Sequence, residues 1–396
     1  MKNFRILLVV STVFLTANSA PAQTWMLTSA STNLSWSAIA SSADGTKLVA
    51  TAAGIWVSAN SGATWTLTGA PNTNVWVAVA ASADGTRLAA ADGYYGVIYT
   101  SADSGTHWTR KNVPNLGWHA IALSADGTRL AAAATDGFIY TSADSGTTWV
   151  SHNVPAYDSA VWVASSADGT RLVAAANAGY IFTSTNSGTT WQSAGGPLST
   201  FLYSVASSAD GSKLVVGAYE FIFTSTNSGA TWASNNVLNY EFWRSVASSA
   251  DGNKLVAVAS STVVSSGGAG NIYISTNSGT AWAQADAPVR SWSGVASSAD
   301  GCKLVGSAYP GRLLVYFGGI YTSQSTPEPQ LNLKPASNHL AFSWIVPSTN
   351  FVLQQSSDLA SWTDLTNTPI LNLTNLQDKV VLSPTNSSGF YRLKTP

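Results

Sequence analysis

Two glutamates are the side chains of this chain best suited to acid–base catalysis. Glu220 directly follows Tyr219, and Glu241 directly follows Tyr240. Hydrolysis of a glycosidic bond needs two carboxyl groups roughly 5–10 Å apart that flank the bond. The two Tyr-Glu pairs are therefore the catalytic candidates, provided that the fold brings their segments together.

Other catalytic chemistry finds less support in the sequence. The single cysteine, Cys302, has no evident histidine partner to make it a nucleophile and no second cysteine for an intrachain disulfide. The stretch 267–270 is glycine-rich but lacks the strand-to-helix pattern of a phosphate-binding loop. The four histidines, which show no metal-ligand spacing, are His107, His119, His152 and His339. We expect neither a metal nor a cofactor.

A recurring tryptophan is the sharpest candidate for a binding surface. It stands eight residues before the aspartate of a repeated Ser-Ala-Asp-Gly motif, at Trp36, Trp76, Trp118, Trp243 and Trp292. In the fourth repeat the aromatic residue is Trp162, two residues later. The position after the tryptophan varies between repeats and holds His119, Tyr203 and Arg244 in three of them. Exposed indoles would form a platform for sugar rings or for an aromatic-rich partner, whereas buried indoles would be wedges between packed sheets.

The Ser-Ala-Asp-Gly motif, called the SADG motif below, predicts the architecture. It occurs seven times at intervals of 40 to 49 residues, with its aspartate at Asp44, Asp84, Asp126, Asp168, Asp210, Asp251 and Asp300. Short runs rich in Val, Ala and Tyr separate the copies. Self-similarity at this period is typical of β-propellers. The sequence therefore predicts an all-β, seven-bladed propeller.

A second motif, Ser-x-Asn/Asp-Ser-Gly-x-x-Trp, follows the first six SADG motifs. Its copies end at Trp65, Trp108, Trp149, Trp191, Trp232 and Trp282. It resembles the Asp-box, or bacterial neuraminidase repeat, of sialidases, xyloglucanases, sortilin-type receptors and a photosystem II assembly factor. The resemblance implies a propeller and leaves the activity open, because these families mix enzymes with binding proteins.

The box itself is predicted to stabilise a turn. Its third residue is Asp at Asp103 and Asp144 only, and Asn in the other four copies, so it does not supply a common base. The side-chain oxygen is expected to accept a hydrogen bond from the backbone N–H two residues on, with Gly providing a positive φ. The seventh box is absent at Tyr321–Gln324, but Thr24–Thr28 matches Thr64–Thr68. We expect this N-terminal strand to complete the seventh blade and close the ring.

Antiparallel blades would place the two kinds of turn on one face. We call the face with the SADG and box turns the bottom face, and the opposite one the top face. A basic residue three positions after each SADG aspartate is expected to neutralise it across the turn. The acids outside the motifs are predicted to lie in top-face loops, at Asp92, Asp136, Asp158, Glu220, Glu241 and Asp286. Variation on one face of a regular scaffold indicates a binding surface there.

Composition and the chain ends suggest an exported protein. The net charge is -1 and 9% of residues are charged, which argues against nucleic acid as a partner. Lys2 and Arg5 precede an apolar run and Ala20-Pro21-Ala22, the pattern of a signal peptide over residues 1–22. We expect no transmembrane segment and a monomer.

The predicted domains after the signal peptide are the propeller (23–325), a linker (326–329) and a C-terminal module (330–396). The module is predicted to be a small β-sandwich. It resembles the C-terminal module, ending in Phe-Tyr-Arg-Leu, of many large secreted bacterial proteins; here these residues are Phe390–Leu393. That resemblance implies surface display or sorting.

These features favour a secreted, non-catalytic binding or scaffold propeller. Its expected ligand is a carbohydrate or an extracellular protein partner, bound through the top face. The alternative is a sialidase-like glycoside hydrolase that uses Glu220 and Glu241. Sialidases carry a Phe-Arg-Ile-Pro motif and an arginine triad; here Phe4-Arg5-Ile6 is followed by Leu7 within the predicted signal peptide.

Overall fold

The chain folds into antiparallel sheets. The structure, a computed structural model, describes residues 24–72, 74–154, 161–195, 200–235, 237, 241–261, 270–310, 318–325, 331–336, 339–346, 351–373, 376–382 and 390–394. The predicted signal peptide, the predicted linker and Asp158 lie outside these ranges. The described residues form strands and no helix, in seven four-stranded sheets followed by one sheet of four and one of three. The predicted all-β, seven-bladed propeller is confirmed.

Each blade contains an inner, a second, a third and an outer strand. The inner strands are β2 (Ala38–Ser41), β6 (Trp76–Ala81), β10 (Trp118–Leu123), β14 (Val161–Ser165), β18 (Leu202–Ser207), β22 (Glu241–Ser248) and β26 (Ser291–Ser297). The second strands are β3 (Leu48–Thr51), β7 (Leu88–Asp92), β11 (Leu130–Ala134), β15 (Leu172–Ala176), β19 (Leu214–Ala218), β23 (Leu255–Ser261) and β27 (Lys303–Tyr309).

The remaining propeller strands lie toward the periphery. The third strands are β4 (Ile55–Ser58), β8 (Ile98–Ser101), β12 (Phe138–Ser142), β16 (Tyr180–Ser184), β20 (Ile222–Ser225), β24 (Ile272–Ser275) and β28 (Gly319–Gln324). The outer strands are β5 (Thr66–Leu67), β9 (Thr109–Arg110), β13 (Val150–Asn153), β17 (Gln192–Ser193), β21 (Ala233–Asn235), β25 (Ala283–Gln284) and, for the seventh blade, β1 (Met26–Leu27).

The N-terminal strand closes the propeller as predicted. Met26 and Leu27 of β1 pair with Thr322 and Tyr321 of β28. The indole of Trp25, just before β1, packs 6.0 Å from that of Trp292 in the same blade. Closure of this kind joins the two ends of the propeller in one sheet and pairs an edge that would otherwise be open.

The second strands are built from small side chains because the blades pack closely. Every residue of β11, Leu130–Ala134, is buried. Alanine has a low intrinsic preference for strands, so packing rather than propensity places it there. Ala89 and Ala91 of β7 share a cluster with Trp118 of the next blade. Alanine in the second strands thus leaves room for the large inner-strand side chains of the neighbouring blade.

A closed ring of backbone hydrogen bonds joins the seven SADG motifs on the bottom face. The N–H of each motif alanine donates to the carbonyl of the next, at 2.7–2.8 Å, and Ala299 donates back to Ala43. We call these residues the alanine ring: Ala43, Ala83, Ala125, Ala167, Ala209, Ala250 and Ala299. Because the ring needs a motif in every blade, it explains why the motif is repeated seven times.

The basic residue of each SADG motif reaches the next blade, in addition to the predicted charge compensation within one turn, which is present between Arg129 and Asp126. Arg87 donates to Ser145 Oγ of the following box at 2.9 Å. Arg129 donates to Ser187 Oγ at 2.7 Å. Lys303 of the seventh blade donates to Ser61 Oγ of the first blade at 3.3 Å, so the contacts continue around the ring. In the sixth blade Lys254 instead contacts Cys302 Sγ at 3.1 Å, because the seventh blade lacks a box. Local spacing along the chain did not reveal this pairing between blades.

The box turns are wider than predicted, because the side-chain oxygen of the third residue bonds an N–H four residues on instead of two. Asn60 Oδ1 accepts a hydrogen bond from the N–H of Thr64, four residues on, at 2.9 Å. Ser58 Oγ accepts the N–H of Gly62 at 2.9 Å. Ser61 and Gly62 both have positive φ, 55° and 88°. Ser61, at this left-handed position, accepts the hydrogen bond from Lys303 of the preceding blade. The box turn therefore supplies a hydrogen-bond acceptor for the blade before it.

The C-terminal module contains two sheets around a common core. One sheet has the order β29 (Asn332–Ala336), β30 (His339–Ile345), β34 (Gln377–Leu382), β33 (Ile370–Asn372), and the other β32 (Thr363–Asp364), β31 (Val352–Ser356), β35 (Phe390–Lys394). The core between them consists of Phe342, Trp344, Phe351, Leu353 and Val380. This arrangement is the small β-sandwich expected from the sequence.

Acid is expected to weaken the propeller through the SADG aspartates. Burial raises the pKa of Asp84, but hydrogen bonds from Ser82 and Thr86 and the charge of Lys47 outweigh it and lower the pKa. The pKa is also lowered at Asp44, Asp126, Asp168 and Asp210. Since the unfolded carboxylates bind protons first, this contribution to the free energy of unfolding is present above about pH 4 and lost as pH falls further.

Calorimetry across pH would test this expectation. The unfolding temperature should fall most steeply below about pH 4, and Asp84→Asn should make that fall shallower. An unfolding temperature that declines equally in the variant and the parent would contradict a role for Asp84.

Candidate functional site

The five recurring tryptophans, which were candidates for a binding surface, are buried, so the structure does not offer them as ligand contacts. Trp36, Trp76, Trp118, Trp243 and Trp292 are each 2% exposed or less. They wedge between blades, as the alternative interpretation proposed. Trp243, for example, packs with Val215 and Ile222 of the preceding blade. Burying an aromatic ring of this size stabilises the contact between blades and leaves no face for a ligand.

The fourth blade fills the tryptophan position differently from the prediction. Val161 pairs with Ala176 and Trp162 with Ala175, whereas in the third blade Trp118 pairs with Ala134 and Ala120 with Ala133. Val161 therefore occupies the register of the tryptophan, and it is fully buried. Trp162 occupies the register of an alanine and stays partly exposed.

The variable position after the tryptophan is a β-bulge in five blades. The inner-strand register shifts at the extra residues Val77, His119, Tyr203, Arg244 and Ser293. A bulge leaves one residue outside the ladder and redirects its side chain. The residues that differ most between blades are thus released from regular pairing at the top end of the inner strands. A single sequence carries no direct signal for the bulge.

Three blades bring aromatic side chains together with an arginine on the top face. We call this group the top cluster: Trp162, Tyr203, Tyr219, Phe242 and Arg244. The Tyr203 ring lies 6.3 Å from Trp162 and 5.4 Å from Phe242, both edge-to-face. Phe242 lies 5.2 Å from Tyr219. The cluster therefore crosses from the fourth to the sixth blade without a break.

Arg244 covers two of these rings. Its guanidinium carbon lies 5.9 Å from the centre of Tyr203 and 5.6 Å from that of Phe242, and the side chain is exposed. Burial raises the pKa of Tyr203, although the charge of Arg244 opposes the rise. The tyrosine is therefore a neutral hydrogen-bonding group at neutral pH. The guanidinium N–H donors make no ion pair with any side chain in the described part of the chain.

Glu220 borders the top cluster in a strained conformation. Its φ is +67°, where the corresponding turns of the third and fourth blades have Gly137 and Gly179. The other residues of the described propeller with positive φ, apart from glycines, are the box serines. The adjacent Tyr219 N–H donates to the carbonyl of Phe201 at 2.9 Å. A positive φ at a residue other than glycine is often found at functional sites.

The strain at Glu220 gives a direct prediction. Glu220→Gly should raise the free energy of unfolding by about 1 kcal/mol, because glycine adopts a positive φ without a Cβ clash. Urea denaturation would measure the change. Glu220→Ala is the control, since it removes the carboxylate but keeps the Cβ, and it should bring no such gain. Equal stabilities for the two variants would show that backbone strain at Glu220 is negligible.

The other predicted site residues are not joined to the top cluster. His119 is half-buried, which lowers its pKa and keeps the imidazole neutral at neutral pH; no ring contact or hydrogen bond links it to the cluster in the described structure. Glu241 begins β22 and pairs with Ser261, but its side chain lies outside the described residues. The carboxylate pair of Glu220 and Glu241 therefore remains a prediction.

Two of the predicted top-face acids hold loops instead of facing a ligand. The Asp92 carboxylate is buried and accepts the N–H groups of Val75 and Tyr94 at 2.7 Å each, and that of Tyr95. Asp136 accepts the phenol of Tyr140 at 3.0 Å; together with burial, this raises the pKa of Tyr140 to about 12. Carboxylates that organise turns were not distinguishable in the sequence from carboxylates of a site.

The loop held by Asp92 presents two further tyrosines that sequence reasoning missed. Tyr94 is 76% exposed and Tyr95 51% exposed, and their rings meet edge-to-face at 5.0 Å. Large exposed aromatic side chains on an ordered loop are typical of binding surfaces. The top face thus carries aromatic residues on the second blade as well as in the top cluster.

Two further features are absent from the described residues. They contain no group of three or more His, Cys, Asp or Glu side chains placed to hold a metal ion. Nor do they include a helix long and apolar enough to cross a membrane.

Comparison with solved structures identifies the class of the fold. The chain resembles the GH74 xyloglucanase from Xanthomonas campestris, with a TM-score of 0.59 and 16% identity over 81% of this chain and 59% of the enzyme. It resembles YCF48 bound to D1 peptide (TM-score 0.55, 16% identity, 78% of this chain and 99% of that one). It also resembles the RRP9 WD40 repeats, with a TM-score of 0.62 and 14% identity over 77% of this chain and 99% of that one.

These similarities place the chain among the β-propellers. No protein-family model matches it, and no curated protein matches its sequence. The chain spans 59% of the xyloglucanase. At such low identity the comparisons establish the fold and leave the activity open, because propellers that share a fold differ in function.

Proposed function

We propose that this protein is an exported, non-catalytic binding propeller that takes a peptide segment of an extracellular protein on its top face. The observation that carries the proposal is the top cluster, in which bulged Tyr203 and Arg244 meet Trp162, Tyr219 and Phe242. Trp, Tyr and Arg are the residues that most often dominate the energetics of protein interfaces. The basic and then apolar N-terminus supports export.

A peptide suits this site better than a carbohydrate. The carbohydrate hypothesis depended on a rim of indoles, and five of them are buried. The remaining rings meet edge-to-face, so they offer edges and a guanidinium rather than one flat platform. A propeller of similar fold, YCF48, has been seen bound to D1 peptide, which supports the same class of ligand.

Peptide display on the full chain would test the proposal. Peptides selected on the protein should lose about tenfold or more in affinity with Arg244→Ala and with Tyr203→Ala. Arg110→Ala, which removes an exposed arginine from the outer strand β9, should leave affinity unchanged. Binding that survives both top-cluster variants would place the site elsewhere. Selective binding to a glycan array, lost in Tyr203→Ala, would favour a carbohydrate instead.

Glycoside hydrolysis is a second candidate function, favoured by the strained backbone of Glu220. A polysaccharide panel assayed with the parent chain and with Glu220→Gln would test it. Hydrolysis abolished by Glu220→Gln would replace the binding proposal, and the absence of hydrolysis by the parent chain would remove this candidate.

A further inference from the structure

The C-terminal module places one leucine at the bottom mouth of the central channel. Leu376, in the loop between β33 and β34, packs against alanine-ring residues of several blades. Residues at the SADG turns of all seven blades, together with Leu376, line a cavity of about 160 Å³. Serines of the inner strands and motifs also line the cavity, and motif serines such as Ser42 and Ser82 donate to their own aspartates. The N–H and carbonyl groups of the alanine ring bond one another around the circle, so the alanine methyl groups are left as the surface that an aliphatic side chain can contact.

A second contact holds the module against the first and seventh blades. Val346, which is buried, packs with Ala43 and Ala299, and Ile345 and Leu371 lie against the same group. Leu376 belongs to this cluster as well as to the one formed by Ala125, Ala167 and Ala209. The module thus touches the ring on both sides of the channel axis.

The path of the chain brings the module to this face. β28 runs toward the bottom face and ends at Gln324, and the N–H of Ser325 donates to the carbonyl of Cys302 at 2.8 Å. Six residue steps separate Ser325 from Leu331, so they span at most about 20 Å. A module tied so closely to the bottom face can reach the mouth of its own propeller.

Leu376 adopts a left-handed backbone conformation. Its φ is +53°, which is costly for a residue with a bulky side chain. Its carbonyl accepts the N–H of Val346 at 3.0 Å, which holds the loop. The side chain is not part of the core formed by Phe342, Trp344 and their neighbours. The side chain instead packs against the alanines of the propeller.

We infer that the C-terminal module is a plug that closes the bottom mouth of its own propeller, with the alanine ring as receptor and Leu376 as the inserted side chain. This inference goes beyond the proposed function and does not depend on it. It means that a ligand approaches the channel from the top face only. It also gives the module a role within the protein, in addition to the display or sorting that its resemblance implies.

The variant Leu376→Asp in the full chain tests the plug. Leu376 is partly buried, and a carboxylate placed against the alanine methyl groups should release the module, because it would be partly desolvated without a partner. The radius of gyration from small-angle X-ray scattering should rise, and amide exchange of the segments holding Ala125, Ala167 and Ala209 should become faster. Leu373→Asp is the matched control: it makes the same change three residues away, at an exposed side chain, and should alter neither measurement.

A second variant separates undocking from misfolding of the module. Leu376→Gly removes the side chain and also relieves the positive φ, so the module should fold at least as readily while the plug is lost. Amide exchange at Phe342 and Trp344 would report an intact module. The inference would be overturned if Leu376→Gly kept the compact scattering profile and slow ring exchange of the parent, or if Leu376→Asp behaved like Leu373→Asp.

Discussion

Replacing Trp243 with alanine is expected to lower the free energy of unfolding by about 3–5 kcal/mol. The indole is fully buried and meets the ring of Tyr273 edge-to-face at 5.4 Å. On its other side it packs with Val215 and Ile222 of the fifth blade. Its removal would leave a large void at the contact between two blades, and the closed ring limits how far the blades can move to fill it. Urea denaturation of the full chain would measure the loss.

Trp162→Ala is the control for Trp243→Ala. Trp162 is only partly buried, so its loss should cost clearly less stability. A Trp243→Ala variant as stable as the parent but defective in ligand binding would contradict the buried wedge and restore the exposed rim.

Gly127→Ala is expected to lower the free energy of unfolding by about 2–4 kcal/mol. Gly127 has a φ of +67°, and an added Cβ would lie 2.6 Å from Cβ and Cδ of Arg87 in the preceding blade. That arginine stem is held in place by its hydrogen bond to Ser145 at 2.9 Å. The substitution therefore adds a clash between blades to the cost of the left-handed backbone.

Gly195→Ala separates the two costs. Gly195 has nearly the same φ, +68°, but an added Cβ meets no described atom within 4 Å. Its substitution should cost only about 1 kcal/mol, the price of the backbone conformation. Thermal or urea unfolding of both variants would show whether the cost at Gly127 comes from contact with the next blade. Equal losses of unfolding free energy in the two variants would mean that the Arg87 side chain moves aside and that its contact with position 127 contributes little.

Much of the fold was predictable because its turns are local. In the second SADG motif, Ser82 donates to Asp84 at 2.6 Å and accepts the N–H of Arg87 at 2.9 Å. These partners lie within five residues of one another, so the motif can be recognised in the sequence. The number of its copies then gives the number of blades. The N-terminal strand was found for the same reason, since Trp25 repeats the end of a box that the seventh blade lacks.

The candidate site was only partly predictable. Tyr203 and Arg244 stood out because they vary at a fixed position, and the structure joins them in the top cluster. Phe242 and Tyr219 were not singled out as ligand contacts, and Tyr94 and Tyr95 carried no repeat signal at all. His119 had the same signal as Tyr203, yet it lies apart from the cluster.

The seven blades, the motif turns and the closing strand are specified by repeat spacing and short-range hydrogen bonds, so they can be predicted from the chain alone. The accessibility of each side chain depends on the packed fold. Trp118 is buried because Ala89 and Ala91 of another blade make room for it, and Arg244 is released by a shift of register against β23. Leu376 contacts the alanine ring, although no motif in either segment predicts that contact. Burial, register and docking depend on pairs of residues far apart in the chain, and a single sequence does not encode those pairs in any local pattern.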